Sequence, residues 1–207
     1  MLLDFHTIYN KYNLKIKGAL HIGAHHGQED TLYRSVGVQN LMYFEPLTKN
    51  FNVLENNVPK GTILHKIALG NDEKNINMYV EEANTGMSSS ILKPEHHLVQ
   101  YPHIVFDGVE EVKMNKLDNI EFNREDYNFI NIDVQGYELE VFKGAEKTLE
   151  HIDYIFSEIN NVHLYENGTL LPDLIDFLSK YNFKLVEENW AGETWGDALY
   201  VKNHNQN

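Results

Sequence analysis

The sequence predicts an α/β fold: a mostly parallel sheet with helices on both faces and an antiparallel hairpin at its C-terminal end. Three observations carry this. Short apolar runs alternate with amphipathic stretches across residues 18–70 and again across 127–181, the pattern of parallel strands joined by crossover helices. "YNFINIDV" (127–134) is apolar almost throughout, as a strand covered on both faces should be. The last two candidate strands, "FKLVEE" and "GDALYVK", stand close enough to pair with each other.

Each element has its own signal. A leading helix is expected around residues 4–13, within an N-terminal helical extension over 1–17. "GALHIG" then reads as a buried strand ending at Gly23. In "QEDTLYRSVG", Glu29 and Asp30 suit the positive end of a helix, Leu32, Tyr33 and Val36 form one face, and Gly37 is a good C-terminal cap. "LMYFE" is a second strand. Pro46 stands at a natural first helical position, with Leu47, Phe51 and Leu54 as an apolar stripe. "GTILHKIALG" supplies a third strand and its exit loop.

The rhythm breaks over 76–116, which reads as an insertion of strands and a lid over the site. Short strands are expected there around a Thr85-Gly86 turn, then a His-, Pro- and Tyr-rich stretch without helical period, then a strand in "VEEVKMNKL". Alternation resumes with "YNFINIDV". A single helix is expected over "ELEVFKGAEKTLE" with Leu139, Phe142, Ala145 and Leu149 inward. A strand in "IDYIFSEI" and a helix in "LLPDLIDFLSKY" with Leu174, Phe177 and Leu178 inward follow. The tail 203–207 is expected to be disordered.

A chain of 207 residues suits one domain. With 17 basic against 31 acidic residues and a formal charge of −14, it should repel nucleic-acid backbones and anionic membranes. Absence of cysteine rules out a disulfide frame, a thiolate nucleophile and a cysteine zinc site, and is compatible with a cytoplasmic location. The N-terminus lacks the unbroken apolar core of a signal peptide, and no stretch approaches a membrane span, so a soluble protein is expected.

In such sheets ligands sit beyond the carboxyl ends of the strands. Gly23 and Gly27 stand at that exit, where glycine permits a sharp turn and close approach to a ligand. His25 is one of the few residue types enriched at positive φ, so its role there can be conformational. Glu45 ends the second strand about 20 residues after Gly23, the offset at which an acid accepts hydrogen bonds from a ribose diol. The turn lacks the G-x-G-x-x-G that brings a helix end onto a pyrophosphate. A nucleoside without phosphates, S-adenosylmethionine, is satisfied by a looser turn.

Several stretches then converge: "HIGAHHGQE", "YFEP", "IALGNDEKNINMYV", "GMSSSIL", "FINIDVQGYELEVFKGAEKTL" and "GDALYVK". Over residues 18–202 the chain resembles the FkbM family of S-adenosylmethionine-dependent methyltransferases, which typically methylate hydroxyls on sugars or polyketide-derived rings. The resemblance implies a Rossmann-like class I methyltransferase fold with a seven-stranded sheet. It implies that Gly23, Ala24 and Gly27 line the methionine part of the cofactor, that Glu45 holds the ribose, and that Ile67 and Ala68 flank the adenine. Ser89, in the family-like serine stretch, is expected to reach cofactor or acceptor. The family usually has an acidic residue where His21 stands; a neutral imidazole there can accept one hydrogen bond.

Methyl transfer to an alcohol needs a group that removes its proton. Asp133, ending the fourth parallel strand, is the first candidate for base, cofactor contact or metal ligand. Glu138, in the next helical turn, and His163, in a later loop, are the other catalytic candidates. Asp133, Glu158 and Asn160 give three oxygen donors from adjacent strand ends, a set suited to Mg2+. The expected function is O-methylation of a sugar or glycan hydroxyl. N-methylation, or a cofactor-binding module without turnover, are the alternatives.

Overall fold

The computed structural model describes residues 2–204. Helix α1 (Phe5–Lys11) opens on Asp4, whose carboxylate accepts the Thr7 N–H at 2.8 Å. It packs the Phe5 ring edge-on against Tyr33 and Phe129, at 5.4 and 6.1 Å between centroids. Strand β1 (Gly18–Ile22) is buried along its whole length. Helix α2 (Asp30–Ser35) returns to β2 (Asn40–Phe44), and α3 (Thr48–Asn57) to the short β3 (Ile63–His65).

The expected third strand and its exit loop divide between two sheets, because β4 (Ala68–Leu69) leaves the ladder of β3 and joins the insertion. There it pairs with β6 (Phe106–Asn115), which also pairs antiparallel with β5 (Lys74–Glu81). The Thr85-Gly86 turn is present, at φ +58° and +85°. After it only a single bridge, Ser90 to Tyr79, replaces the second short strand expected there. The stretch read as lacking helix contains the short α4 (His96–Gln100), whose backbone is tied to the Leu164 carbonyl through the Glu95 and His97 N–H groups.

The second half of the main sheet follows. Strand β7 (Phe129–Ile132) is fully buried. The single helix expected over 138–150 is instead α5 (Glu138–Lys143) and α6 (Glu146–Leu149), interrupted at Gly144. Here the Gly70 carbonyl comes so near that a β-carbon on Gly144 would lie 1.9 Å from its oxygen. Strand β8 (Tyr154–Asn160), helix α7 (Leu171–Ser179) and the hairpin β9 (Phe183–Ala191) and β10 (Trp195–Lys202) complete the chain.

The sheet order is β3-β2-β1-β7-β8-β10-β9, parallel from β3 to β8, with β10 antiparallel between β8 and β9. Alternation of side chains across the strands builds two cores. Leu20, Ile22, Ile130 and Ile132 face α5, α6 and α7; Ala19, Tyr43 and Phe129 face α1, α2 and α3. Part of the tail expected to be disordered is held: Asn203 N–H donates to the Asn182 carbonyl at 2.8 Å and His204 lies 2.9 Å from Asp153. Residues 205–207 lie outside the described residues. No helix among the described residues is long and apolar enough to cross a membrane.

Gly144→Ala is expected to destabilise the fold by about 1–3 kcal/mol, the usual cost of overpacking. Gly37, unlike Gly144, has positive φ, so alanine there is strained at the backbone, but its β-carbon would meet no atom within 4 Å and the change should cost less than one that drives a β-carbon into a carbonyl. Urea unfolding of the two variants measures the difference.

Candidate functional site

Parallel register brings three strand ends level. Ile22 stands opposite Phe44 on one side and Ile132 on the other, so Gly23, Glu45 and Asp133 leave the sheet side by side. Gly23 has φ +78°, and a β-carbon on it would lie 1.9 Å from the Asp133 carbonyl oxygen. Only glycine fits this crossing. Its N–H donates to the Phe44 carbonyl at 3.0 Å, and the Asp133 N–H donates to the Ile22 carbonyl at 3.0 Å, which fastens all three exits together.

Above them opens a cavity of about 500 Å³. Of the residues singled out from sequence, His21, Gly23, Ala24, Glu45, Ile67, Ala68, Ser89, Asp133 and Glu158 line it. The inserted segment adds Met87, Ser88, Ile91, His97 and Tyr101, and β10 adds Trp195 and Asp197. Among the described residues lining it there is no lysine or arginine, whereas Glu29, Glu45, Asp133, Glu158 and Asp197 supply carboxyl groups. This is a setting for a cation and not for a phosphate.

Glu45 is buried, with one oxygen accepting the His25 N–H and the other the Leu47 N–H, both at 2.9 Å. Burial pushes its pKa up to about 7 against the pull of those two donors. His25 adopts φ +47°, and its ring Nε2 lies 2.8 Å from the Thr85 carbonyl, linking this turn to the lid. Gly27, expected to line the cofactor, lies outside the cavity. Its φ is +74°, and a β-carbon there would meet Leu54 Cδ1 at 2.7 Å, so it lets the turn close onto α3.

His21 is buried, with its Nδ1 3.3 Å from the Tyr33 hydroxyl and its Nε2 3.4 Å from the Asn131 amide. Burial lowers its pKa, which favours the neutral ring.

After Asp133 the chain turns through Gln135 and Gly136 at φ +54° and +92°. Glu138 is outside the cavity and buried beneath this turn. One of its oxygens accepts the Val134 and Gly136 N–H groups, each at 3.1 Å, so it shapes the turn and does not face a ligand. Burial pushes its pKa up to about 7. His163 also lies outside, beside a separate depression formed with Gly136, Tyr137 and Thr169, with its Nδ1 2.8 Å from the Gly168 carbonyl.

The Mg2+ expectation fails on the donor set. Gln135 Nε2 donates to Asp133 Oδ1 at 2.7 Å and to Glu158 Oε2 at 2.8 Å, so an amide nitrogen stands between the two carboxyl groups that were to share the ion. Asn160 lies outside the cavity and turns its own amide nitrogen toward Glu158, at 3.2 Å. Burial, with Asp133 nearby, pushes the Glu158 pKa well up and favours its neutral form. Among the described residues no group of three or more His, Asp or Glu side chains is placed to hold a metal.

Sequence reasoning missed Gln135 and Tyr165. The Tyr165 hydroxyl lies 2.7 Å from the Ser88 carbonyl and 2.8 Å from Gln135 Oε1, so the lid, the turn after β7 and the acid pair form one network. Ser90 adds a bond from its hydroxyl to the Gln135 carbonyl at 2.8 Å. Gln135-Gly136 was readable as a turn, but no pattern in sequence marks Tyr165 as its partner.

The family model described as the methyltransferase FkbM domain matches residues 21–185. The chain is 35% identical over 115 residues to the 2-O-methyltransferase NoeI of Sinorhizobium fredii, which covers 55% of this chain and 46% of NoeI; it thus spans about half the length of that curated relative. Two solved structures share the fold. Magnesium protoporphyrin IX methyltransferase from Synechocystis, with bound SAM, superposes with a TM-score of 0.53 at 8% identity over 96% of this chain and 76% of that one. The ribosomal protein L11 methylase from Lactobacillus delbrueckii gives 0.52 at 12% identity over 95% and 75%. The architecture is that of Rossmann-like S-adenosylmethionine methyltransferases.

The buried acids set a pH dependence. Glu45 and Glu138 ionise near 4.5 when unfolded and near 7 in the folded protein. The stability linked to them is fully present below about 4.5 and lost as pH rises through about 7. The urea midpoint is expected to fall between about pH 5 and about pH 8. Glu138→Gln keeps an acceptor for the Val134 and Gly136 N–H groups and should make that fall shallower. Parallel curves for parent and variant would show that Glu138 is not a source of the dependence.

Proposed function

Because the chain belongs to the FkbM methyltransferase domain family, we propose that it catalyses S-adenosylmethionine-dependent methylation of a hydroxyl on a sugar or glycan. The observation that carries this reading is the level exit of Gly23, Glu45 and Asp133 into one cavity rich in carboxyl groups and, among the described residues, lined by no lysine or arginine. Such a cavity fits a sulfonium and an ammonium group and would oppose a dinucleotide. The name of the relative NoeI, a 2-O-methyltransferase, supports oxygen as the atom modified.

Bound S-adenosylmethionine supplies a methyl group on a positively charged sulfur, which an oxygen nucleophile takes by in-line displacement. Glu45 would hold the ribose hydroxyls through lone pairs left over from its two backbone bonds. Ile67 and Ala68, with Phe44 and Leu47 beside them in the cavity wall, provide apolar surface for the adenine. Ser89 belongs to the lid side of the same wall. His21, neutral and fixed by Tyr33 and Asn131, offers polarity without charge below the donor turn.

Asp133 accepts the acceptor's hydroxyl proton as the oxygen–carbon bond forms. Gln135 fixes its carboxylate from one side. A neutral Glu158 leaves the negative charge near the reacting oxygen on Asp133, instead of dividing it between two close acids. Positioning and exclusion of water supply the rest of the barrier reduction. Gln135 fills the place between the two carboxyl groups that a divalent cation would need.

Asp133→Asn is expected to lower kcat by about 10²–10⁴-fold, the usual contribution of a positioned base, while calorimetry shows S-adenosylmethionine affinity within about threefold of the parent. His163→Ala should leave turnover nearly unchanged, and so should a chelator. The assay is release of S-adenosylhomocysteine with a panel of methyl glycosides. Absence of any cofactor heat in the unmodified protein would end this reading.

A further inference from the structure

The cavity divides by strand. Its donor side lies over β1, β2 and the β3–β4 connection, where Gly23, Glu45 and Ile67 stand. Asp133 marks the middle, at the end of β7. Beyond it the wall is formed by Glu158 on β8, by Trp195 at the start of β10, and by Tyr101 just after α4. Trp195 pairs with Asn160, the last residue of β8, so it sits at the same edge of the sheet as Asp133. β10 is two strands from β7, roughly 10 Å at the usual spacing of about 4.8 Å between strands. One six-membered ring fits that separation.

The indole is held in place. Its Nε1–H donates to the Tyr101 hydroxyl at 2.8 Å, and the Gln100 amide lies 2.9 Å from the same hydroxyl and 2.8 Å from that of Thr194. Lid and hairpin therefore lock each other through this cluster. Because the only polar atom of the indole is already used, what Trp195 contributes to the cavity is carbon surface. An aromatic face is electron-rich and attracts the weakly positive hydrogens that line one face of a pyranose. An open-chain polyol, with its C–H groups pointing in all directions, gains little from such a wall.

We propose that Trp195, set by its hydrogen bond to Tyr101, is the platform on which the ring of the acceptor sugar stacks, with the hydroxyl to be methylated directed toward Asp133. Trp195 is thus a specificity-determining residue, and Tyr101 is a positioning residue that acts through it. This rests on the reading of the protein as a sugar O-methyltransferase, and the test separates the two.

The chain has two tryptophans, Trp190 and Trp195, so Trp190→Phe leaves Trp195 as the sole indole reporter. In that variant, loaded with S-adenosylhomocysteine, titration with a panel of methyl pyranosides is expected to change the fluorescence, whereas sorbitol is not. Trp195→Ala should raise KM for the pyranoside that serves best about tenfold, with Trp195→Phe intermediate and kcat changed less than KM. Tyr101→Phe should raise KM by a smaller factor. S-adenosylmethionine affinity by calorimetry should stay within about twofold of the parent in all of them. Unchanged KM in Trp195→Ala, or no fluorescence response to any pyranoside while the cofactor still binds, would overturn the platform and leave the methyltransferase reading standing. Failure of the parent protein to bind S-adenosylmethionine would remove the underlying reading itself.

Discussion

The contact on which the rest of this molecule depends is the crossing of Gly23 against the Asp133 carbonyl. Two parallel strands, β1 and β7, finish at the same level, and the backbone leaving one passes so close to the other that no side chain fits between. That closeness places a carboxylate beside the donor turn without any long side chain reaching for it. It also makes the geometry stiff, because the three exits at Gly23, Glu45 and Asp133 are braced by ladder bonds and not by mobile loops. Everything above the sheet is arranged around a point defined to within the tolerance of main-chain packing.

The electrostatic design follows from that stiffness. Several acids converge on a space lined by no lysine or arginine among the described residues, which would be unfavourable if all were ionised. The protein resolves the conflict by burying some of them. Glu138 is taken up by two backbone N–H groups, Glu158 is pushed toward its neutral form by burial beside Asp133, and Glu45 is held by His25 and Leu47. Asp133, exposed and bonded to Gln135, keeps a carboxyl group open to a ligand at the centre of the three strand exits. A single amide nitrogen, Gln135 Nε2, bridges the two acids by donating to both.

Much of the fold was legible because strands buried on both faces have a strong signature. "GALHIG" and "YNFINIDV" admit few other conformations, and the Glu45 offset follows from the length of one βαβ step. What escaped was long-range. Nothing within residues 138–150 announces that the helix breaks at Gly144, where the Gly70 carbonyl packs close and the Gly144 carbonyl accepts the Asp118 N–H, both partners being far away in sequence. Likewise Gly27 has the look of a ligand-binding glycine but serves α3. The acids Asp133 and Glu158 with Asn160 had the spacing of a metal site, and only the three-dimensional position of Gln135 shows why they are not one. His163 and Glu138 had suitable chemistry and the wrong direction: both lie near the right turn and face away from the cavity.

The inserted strands β4, β5 and β6 form a sheet of their own, which shares no strand with the seven-stranded one. Its edges meet the larger sheet through loops and side chains, at Thr85, Ser88 and Ser90, and at Gly70 against Gly144. Rebuilding or lengthening it therefore breaks no rung of the central ladder. A lineage built on this plan can alter what it admits over generations while the apparatus beneath stays as it was.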